Sequence, residues 1–141
     1  MIRVTPSLRV AAERLLKLEA RVREHGVATL PAATRVTERL RRFLSTLLGA
    51  AGFRALLSRA VTLAKHEVPE LSGVVVDADG SLSGMGVDPS RDKDELADGE
   101  VVIVAHILGL LVTFVGVALM LRLVSDAWPK ASLSDIDFDE V

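Results

Sequence analysis

Apolar residues fill one long stretch of the chain, Val101 to Val124, with the sequence VVIVAHILGLLVTFVGVALMLRLV. Its polar side chains are His106, Thr113 and Arg122, spread over about six to seven helical turns. A helix that is apolar all round must be buried, either in a protein core or in a bilayer, which about 20 apolar residues can span. The pattern predicts a helix over 101–124 whose surroundings decide what kind of protein this is.

A narrower apolar stripe recurs every three or four residues near the N-terminus and predicts an amphipathic helix over 7–25. The pairs Glu13 with Lys17 and Glu19 with Arg23, four residues apart, indicate a solvated opposite face. The stripe packs on the chain's own domain or contacts a partner helix. The candidate contact residues are Leu8, Leu15, Leu18 and Val22.

Two more amphipathic helices are predicted over 34–48 and 53–66, with Thr34 as the N-cap of the first. The Gly-Ala-Ala-Gly sequence at 49–52 predicts a turn or kink between them. Three amphipathic helices need an apolar partner to cover, and the 101–124 helix is the candidate. We therefore expect a mainly α protein, a helical bundle around a hydrophobic central helix at 101–124.

A β-branched run that leads into Asp77-Ala78-Asp79-Gly80 predicts a small β-hairpin at about 73–83, docked on the helices. The same four residues resemble part of a calcium loop. Aligning Gly80 with the sixth loop position, however, places Val75 and Gly86 at the first and twelfth positions, where carboxylates are needed. The segment is therefore interpreted as a plain turn, followed by an acidic loop at 88–100 whose carboxylates suit the positive end of the long helix.

These elements predict a single helical domain over 1–128, and Trp128-Pro129 ends the last helix. The acidic C-terminal tail, 129–141, alternates aspartates with Ile136 and Phe138 in the manner of a short docking peptide. Either the tail frays in solvent, or these two residues dock on the basic N-terminal half or on a partner.

Charge is distributed unevenly along the chain. Residues 1–65 hold 13 Lys or Arg against 4 Asp or Glu, whereas residues 66–100 hold 2 against 10. The simplest interpretation is that the two parts face each other in the fold. The alternative is a basic face for anionic lipid or nucleic acid, for which the candidates are Arg39, Arg41 and Arg42. Nucleic acid is disfavoured because no aromatic side chains interleave with these arginines for base stacking.

Small and weakly polar residues form a strip along one side of the long predicted helix: Ala105, His106, Gly109, Thr113 and Gly116. Such a strip allows close helix contact. In a membrane it would be an oligomer interface. In a soluble bundle an earlier helix would cross there, and His106 would be satisfied by a backbone or acidic group.

The chain contains few residue patterns that are typical of catalysis or cofactor binding. The chain has no cysteine and no tyrosine, and it contains no metal-binding histidine motif, phosphate loop or dinucleotide fingerprint. We therefore predict that the protein is not an enzyme and carries no cofactor or metal. The N-terminus lacks the apolar region of a secretory signal, so a cytoplasmic location is expected, with association with the inner membrane as the alternative.

The stretch from Phe53 to Trp128, above all AHILGLLVTFVGVALMLRLVSDAWP, resembles small bacterial helical proteins. The resemblance implies a bacterial origin and a self-contained domain. It transfers no site and no activity.

The sequence favours a non-enzymatic interaction or regulatory module that binds a protein partner or a second copy of itself. The alternative is a membrane protein, either a single-span anchor or an effector that inserts 101–124. Arg122 and Trp128 at one end support a span. Acidic residues before the segment, such as Asp98 and Glu100, and the loss of a core for the other helices argue against it. Binding of nucleic acid or anionic lipid through the basic half is the third hypothesis.

Overall fold

The computed structural model of the chain describes residues 5–21, 31–84, 98–133 and 135–136. These residues form helices α1 (Pro6–Arg21), α2 (Ala32–Glu67), α3 (Asp98–Val115) and α4 (Val117–Ala127), together with strands β1 (Val75–Val76) and β2 (Leu82–Ser83). A 3-10 turn, Pro69–Gly73, connects α2 to the hairpin. The predicted mainly α bundle with a small β-hairpin is confirmed.

Helix α3 is the centre of the bundle. Every residue from 101 to 111 is buried, and both α1 and α2 pack against this helix. At Gly109 the contact is close, because a Cβ atom there would lie 3.1 Å from Leu8 Cδ1 of α1. Burying a large aliphatic side chain contributes about 1.5–3 kcal/mol, so α3 is a main source of the stability of the fold.

The apolar run does not continue as one helix, and the prediction of a single helix over 101–124 is wrong in this respect. Gly116 has φ 88° and ψ 163° and separates α3 from α4. Side chains rarely tolerate this conformation, whereas glycine adopts it freely. The break allows α4 to pack against α3 and α2 and to bury Met120 and Val124.

Helix α2 contains a similar break at Gly49, with φ 77° and ψ 163°, where the sequence predicts a turn or kink. The helix begins at Ala32, directly after Pro31, so the prediction that Thr34 caps it is wrong. Thr34 lies buried inside the first turns. The Ala33 N–H instead donates to Glu100 Oε1 of α3, at 3.3 Å, and a side chain from another helix thus meets an unpaired amide.

The hairpin is antiparallel, with Val75 opposite Ser83 and Val76 opposite Leu82. Gly80, at φ 86°, closes its turn and donates its N–H to Asp77 O. Leu82 is buried in the common core, which docks the hairpin on the helices as the sequence predicts.

The two glycine breaks lie at the same end of the bundle. The start of α3 contacts both ends of α2, because Glu100 binds Ala33 and because Gly99 lies against Leu71, just beyond the α2 C-terminus. From this end, Gly49 is about 24 Å along α2 and Gly116 about 26 Å along α3, at 1.5 Å per residue. We call the segments 43–53 and 112–121 the glycine-break end.

A contact at the end of α4 also indicates that the two breaks lie at the same end of the bundle. Ala127 O accepts a hydrogen bond from Arg39 of α2. Arg39 lies ten residues before Gly49, and Ala127 lies eleven residues after Gly116, which are axial distances of about 15 Å and 16 Å. Both breaks are therefore at a similar height above this contact.

Candidate functional site

A polar cluster inside the bundle is centred on Glu19 of α1. The Glu19 side chain is 3% exposed, and its Oε1 accepts hydrogen bonds from Arg39 Nε at 2.6 Å and from Trp128 Nε1 at 3.0 Å. Arg35 Nε lies 3.7 Å from Oε2. A buried carboxylate is tolerated when cations and hydrogen-bond donors surround it in this way. We call these four residues the Glu19 cluster.

The cluster joins three parts of the chain: α1, α2 and the residues that follow α4. Arg39 Nη1 donates to Ala127 O at 3.2 Å, and its guanidinium carbon lies 5.7 Å from the centroid of the Trp128 ring, a cation–π contact. The expectation that Glu19 lies on the solvated face of α1 is therefore wrong. Its predicted partner, Arg23, lies outside the described residues.

The three arginines predicted to form one basic face point to different partners. Arg39 belongs to the Glu19 cluster, and Arg41 pairs with Glu38 at 2.6 Å and donates to Asp79 O. Arg42 is exposed and forms no ion pair with any described residue. The structure therefore does not bring the three guanidinium groups together.

His106 is a buried histidine with an acidic partner. Its Nε2 lies 2.9 Å from Glu67 Oε1, whereas its buried Nδ1 has no hydrogen-bond partner among the described residues. Burial lowers the pKa of His106, and the Glu67 carboxylate opposes this shift. The neutral tautomer with its proton on Nε2 satisfies the pair, because protonation would add an unpaired N–H at Nδ1.

The remaining members of the small-residue strip do not form one continuous surface. Gly109 is buried against Leu8, as expected where an earlier helix crosses. Thr113 is exposed, and its Oγ1 donates to Gly109 O at 3.0 Å within the helix. Gly116 forms the break. The buried part of the strip thus ends before the glycine-break end.

The apolar stripe of α1 packs inward. Leu8 and Leu15 are 2% and 0% exposed, and Leu18 packs against the same core. Of the two interpretations for this stripe, the structure shows packing on the chain's own domain. Val22 lies outside the described residues.

The C-terminal tail contacts the basic N-terminal helix. Arg14 binds Asp135 through two hydrogen bonds of 2.7 and 2.9 Å, and it also donates to Ser132 O. This exposed pair lowers the pKa of Asp135 and raises that of Arg14. Leu133 is buried and Ile136 packs against the core, whereas Phe138 lies outside the described residues.

A second link of the same kind joins Arg9 to Asp98. Both ion pairs connect the basic N-terminal half with the acidic remainder of the chain, as the charge pattern indicates.

Large apolar side chains are exposed at the glycine-break end. Phe114 is 68% exposed, Leu47 50% and Leu119 36%. Sequence patterns did not single out these residues, because each lies within an apolar run that was expected to be covered. The available signal was a glycine inside each run, two residues after Leu47 and two after Phe114, which turns the chain and exposes its neighbours.

In the described part of the chain, no group of three or more His, Asp or Glu residues could hold a metal ion. Helices α2 and α3 are long and apolar enough to cross a membrane by length and composition. In the bundle, however, every residue of α3 from 101 to 111 is buried, as in the core helix of a folded domain. Searches of protein-family models, curated proteins and solved structures found no match.

Proposed function

We propose that the protein is a non-enzymatic interaction module that binds its partner through the glycine-break end. One observation carries this proposal: Phe114 is 68% exposed although it lies only three residues beyond the fully buried stretch 101–111. An exposed phenylalanine at the end of a core helix costs solubility and contributes little to folding. It is useful when another surface covers it.

The internal polar groups support binding rather than catalysis as the role. The Glu19 cluster connects helices, and His106, buried in α3, pairs with Glu67 at the end of α2. A surface role also agrees with a cytoplasmic location and with docking at the inner membrane.

The rival function is a single-span anchor, which would place α3 in a bilayer. That arrangement would remove the apolar partner of core side chains such as Leu15, Leu40 and Leu57, each 0% exposed in the bundle. We therefore favour a folded module with α3 inside.

A photo-crosslinking experiment in cells that carry the protein naturally tests the proposal. A benzophenone amino acid replaces Phe114 or Leu47 in separate variants, and a control variant carries it at Val75 of the hairpin, which is also 50% exposed. We expect adducts, with protein or with lipid, at 114 and 47 and none at 75. Adducts of equal yield at all three positions, or none at 114, would contradict the proposed function.

A further inference from the structure

The glycine-break end combines two properties. The first is the absence of charge: residues 43–53 and residues 107–121 contain no Asp, Glu, Lys or Arg. The second is apolar exposure, because Leu47, Phe114 and Leu119 are the exposed large side chains here. This end of the bundle is therefore an uncharged apolar tip.

Three arginines lie beside the tip, at similar distances from the glycine breaks along their helices. Arg42 lies seven residues before Gly49, Arg54 five residues after it, and Arg122 six residues after Gly116. These separations place the three residues about 8–10 Å behind the breaks along their helices. All three are exposed, and none pairs with an acidic group among residues 5–21, 31–84, 98–133 and 135–136.

Acidic residues are absent from this part of the chain over long distances. Residues 39–66 hold six Lys or Arg and no Asp or Glu, and residues 101–125 hold Arg122 and no acidic residue. Gly84 and Gly99 lie at the other end of the bundle, because Gly84 packs against Gly73 and Gly99 against Leu71.

We infer that the partner of the glycine-break end is the surface of an anionic lipid bilayer; this inference rests on the proposed function. Apolar groups of interfacial helices penetrate about 5–10 Å into the boundary between headgroups and acyl chains. With Phe114 and Leu47 at that depth, a rim about 8–10 Å behind the breaks lies among the headgroups, where arginine binds phosphate in a bidentate manner. The domain docks on the membrane with α3 still inside the bundle.

A second copy of the chain fits the same surface poorly. A symmetric dimer brings identical patches together, so the exposed Arg42, Arg54 and Arg122 side chains of one copy would approach those of the other copy. Like charges across an interface oppose association. A surface of anionic phosphates instead complements the rim.

Vesicle co-flotation of the full-length protein at physiological salt tests the inference. The vesicles contain either phosphatidylcholine alone or phosphatidylcholine with one third phosphatidylglycerol. We expect binding to the anionic vesicles at least roughly tenfold tighter than to the zwitterionic ones, since each basic residue near an anionic surface adds to the attraction. Equal binding to both, or binding to neither, would overturn the inference.

Two sets of variants locate the surface. Leu47→Ser with Phe114→Ser should weaken binding to anionic vesicles at least roughly tenfold, because two large side chains no longer insert; Val75→Ser is the matched control. Arg42→Glu with Arg54→Glu should also weaken it more than roughly tenfold. The control Lys17→Glu with Lys130→Glu changes the net charge equally at exposed sites away from the tip and should change binding less than roughly threefold, because salt screens distant charges.

The substituted side chains are exposed, so helicity and the thermal midpoint should stay at wild-type values and can be checked by circular dichroism. Controls as defective as the tip variants would overturn the inference. Light scattering distinguishes the remaining outcome. A dimer that Phe114→Ser converts to a monomer, without vesicle binding, would make the tip a self-association surface, which refutes lipid docking but retains the interaction module.

Discussion

Replacement of Glu19 by alanine should destabilise the protein by about 3 kcal/mol. Removing one partner of a buried ion pair costs about 3–5 kcal/mol, because the other partner stays buried without compensation. Here the Trp128 indole N–H loses its acceptor, and Arg35, with 15% of its side chain exposed, loses its nearest carboxylate. Arg39 is 39% exposed and can regain water, which places the expected value at the lower limit of the range.

Urea unfolding followed by circular dichroism measures this effect through the shift of the midpoint at constant slope. Glu13→Ala is the matched control on the same helix, since Glu13 is 42% exposed and lies 3.9 Å from Arg9. It should change the free energy of unfolding by less than about 1 kcal/mol. Glu19→Gln, which retains an acceptor oxygen, should fall between the two. A loss below about 1 kcal/mol for Glu19→Ala would refute the account of the cluster as a buried link between helices.

Three further outcomes are expected. Because burial lowers the pKa of His106 below its ordinary value of 6.5, the unfolded chain binds more protons than the native state below that pH, so stability should fall as the pH drops from 7.5 to 5.5. His106→Gln should flatten this dependence in urea titrations, and His66→Gln, at an exposed position, should not; equal effects of the two would contradict the assignment. Gly116→Ala should destabilise the protein by about 1–3 kcal/mol through strain at positive φ. Gly73→Ala, where an added Cβ atom would meet nothing within 4 Å, should change stability by about 0.5 kcal/mol or less. A neutral Gly116→Ala would show that the break does not need glycine. Asp135→Asn should speed amide exchange at residues 131–133 without moving the global midpoint, since exposed ion pairs contribute little, and unchanged exchange would refute the anchoring of the tail by Arg14.

The periodicity of apolar residues predicts the helices well, because burial of a stripe is what makes each helix stable. The kink at Gly49 was predictable because two glycines interrupt an amphipathic pattern at 49–52. The break at Gly116 was not, because the residues around it remain apolar on both sides and periodicity carries no information when every face is hydrophobic. The backbone conformation of Gly116 determines that the apolar run forms two helices instead of one.

The candidate site was harder to predict from the sequence than the helices were. Glu19 has the spacing of a surface ion pair with Arg23, and its burial depends on Arg39 and Trp128, which are distant in sequence and come together through packing alone. The partner of His106 was predicted in kind, an acidic group, but not in identity. Phe114 is exposed because the buried core ends a few residues before it. The local pattern of apolar residues does not indicate where the core ends.

Amide hydrogen exchange on the purified full-length protein, without detergent, tests the central claim that the apolar helix α3 is packed inside the protein. The account predicts a protein that stays in solution, with the amides of residues 101–111 among the slowest to exchange and opening only with global unfolding. Recovery of the protein only in detergent, or exchange at 101–111 faster than in α2, would contradict it.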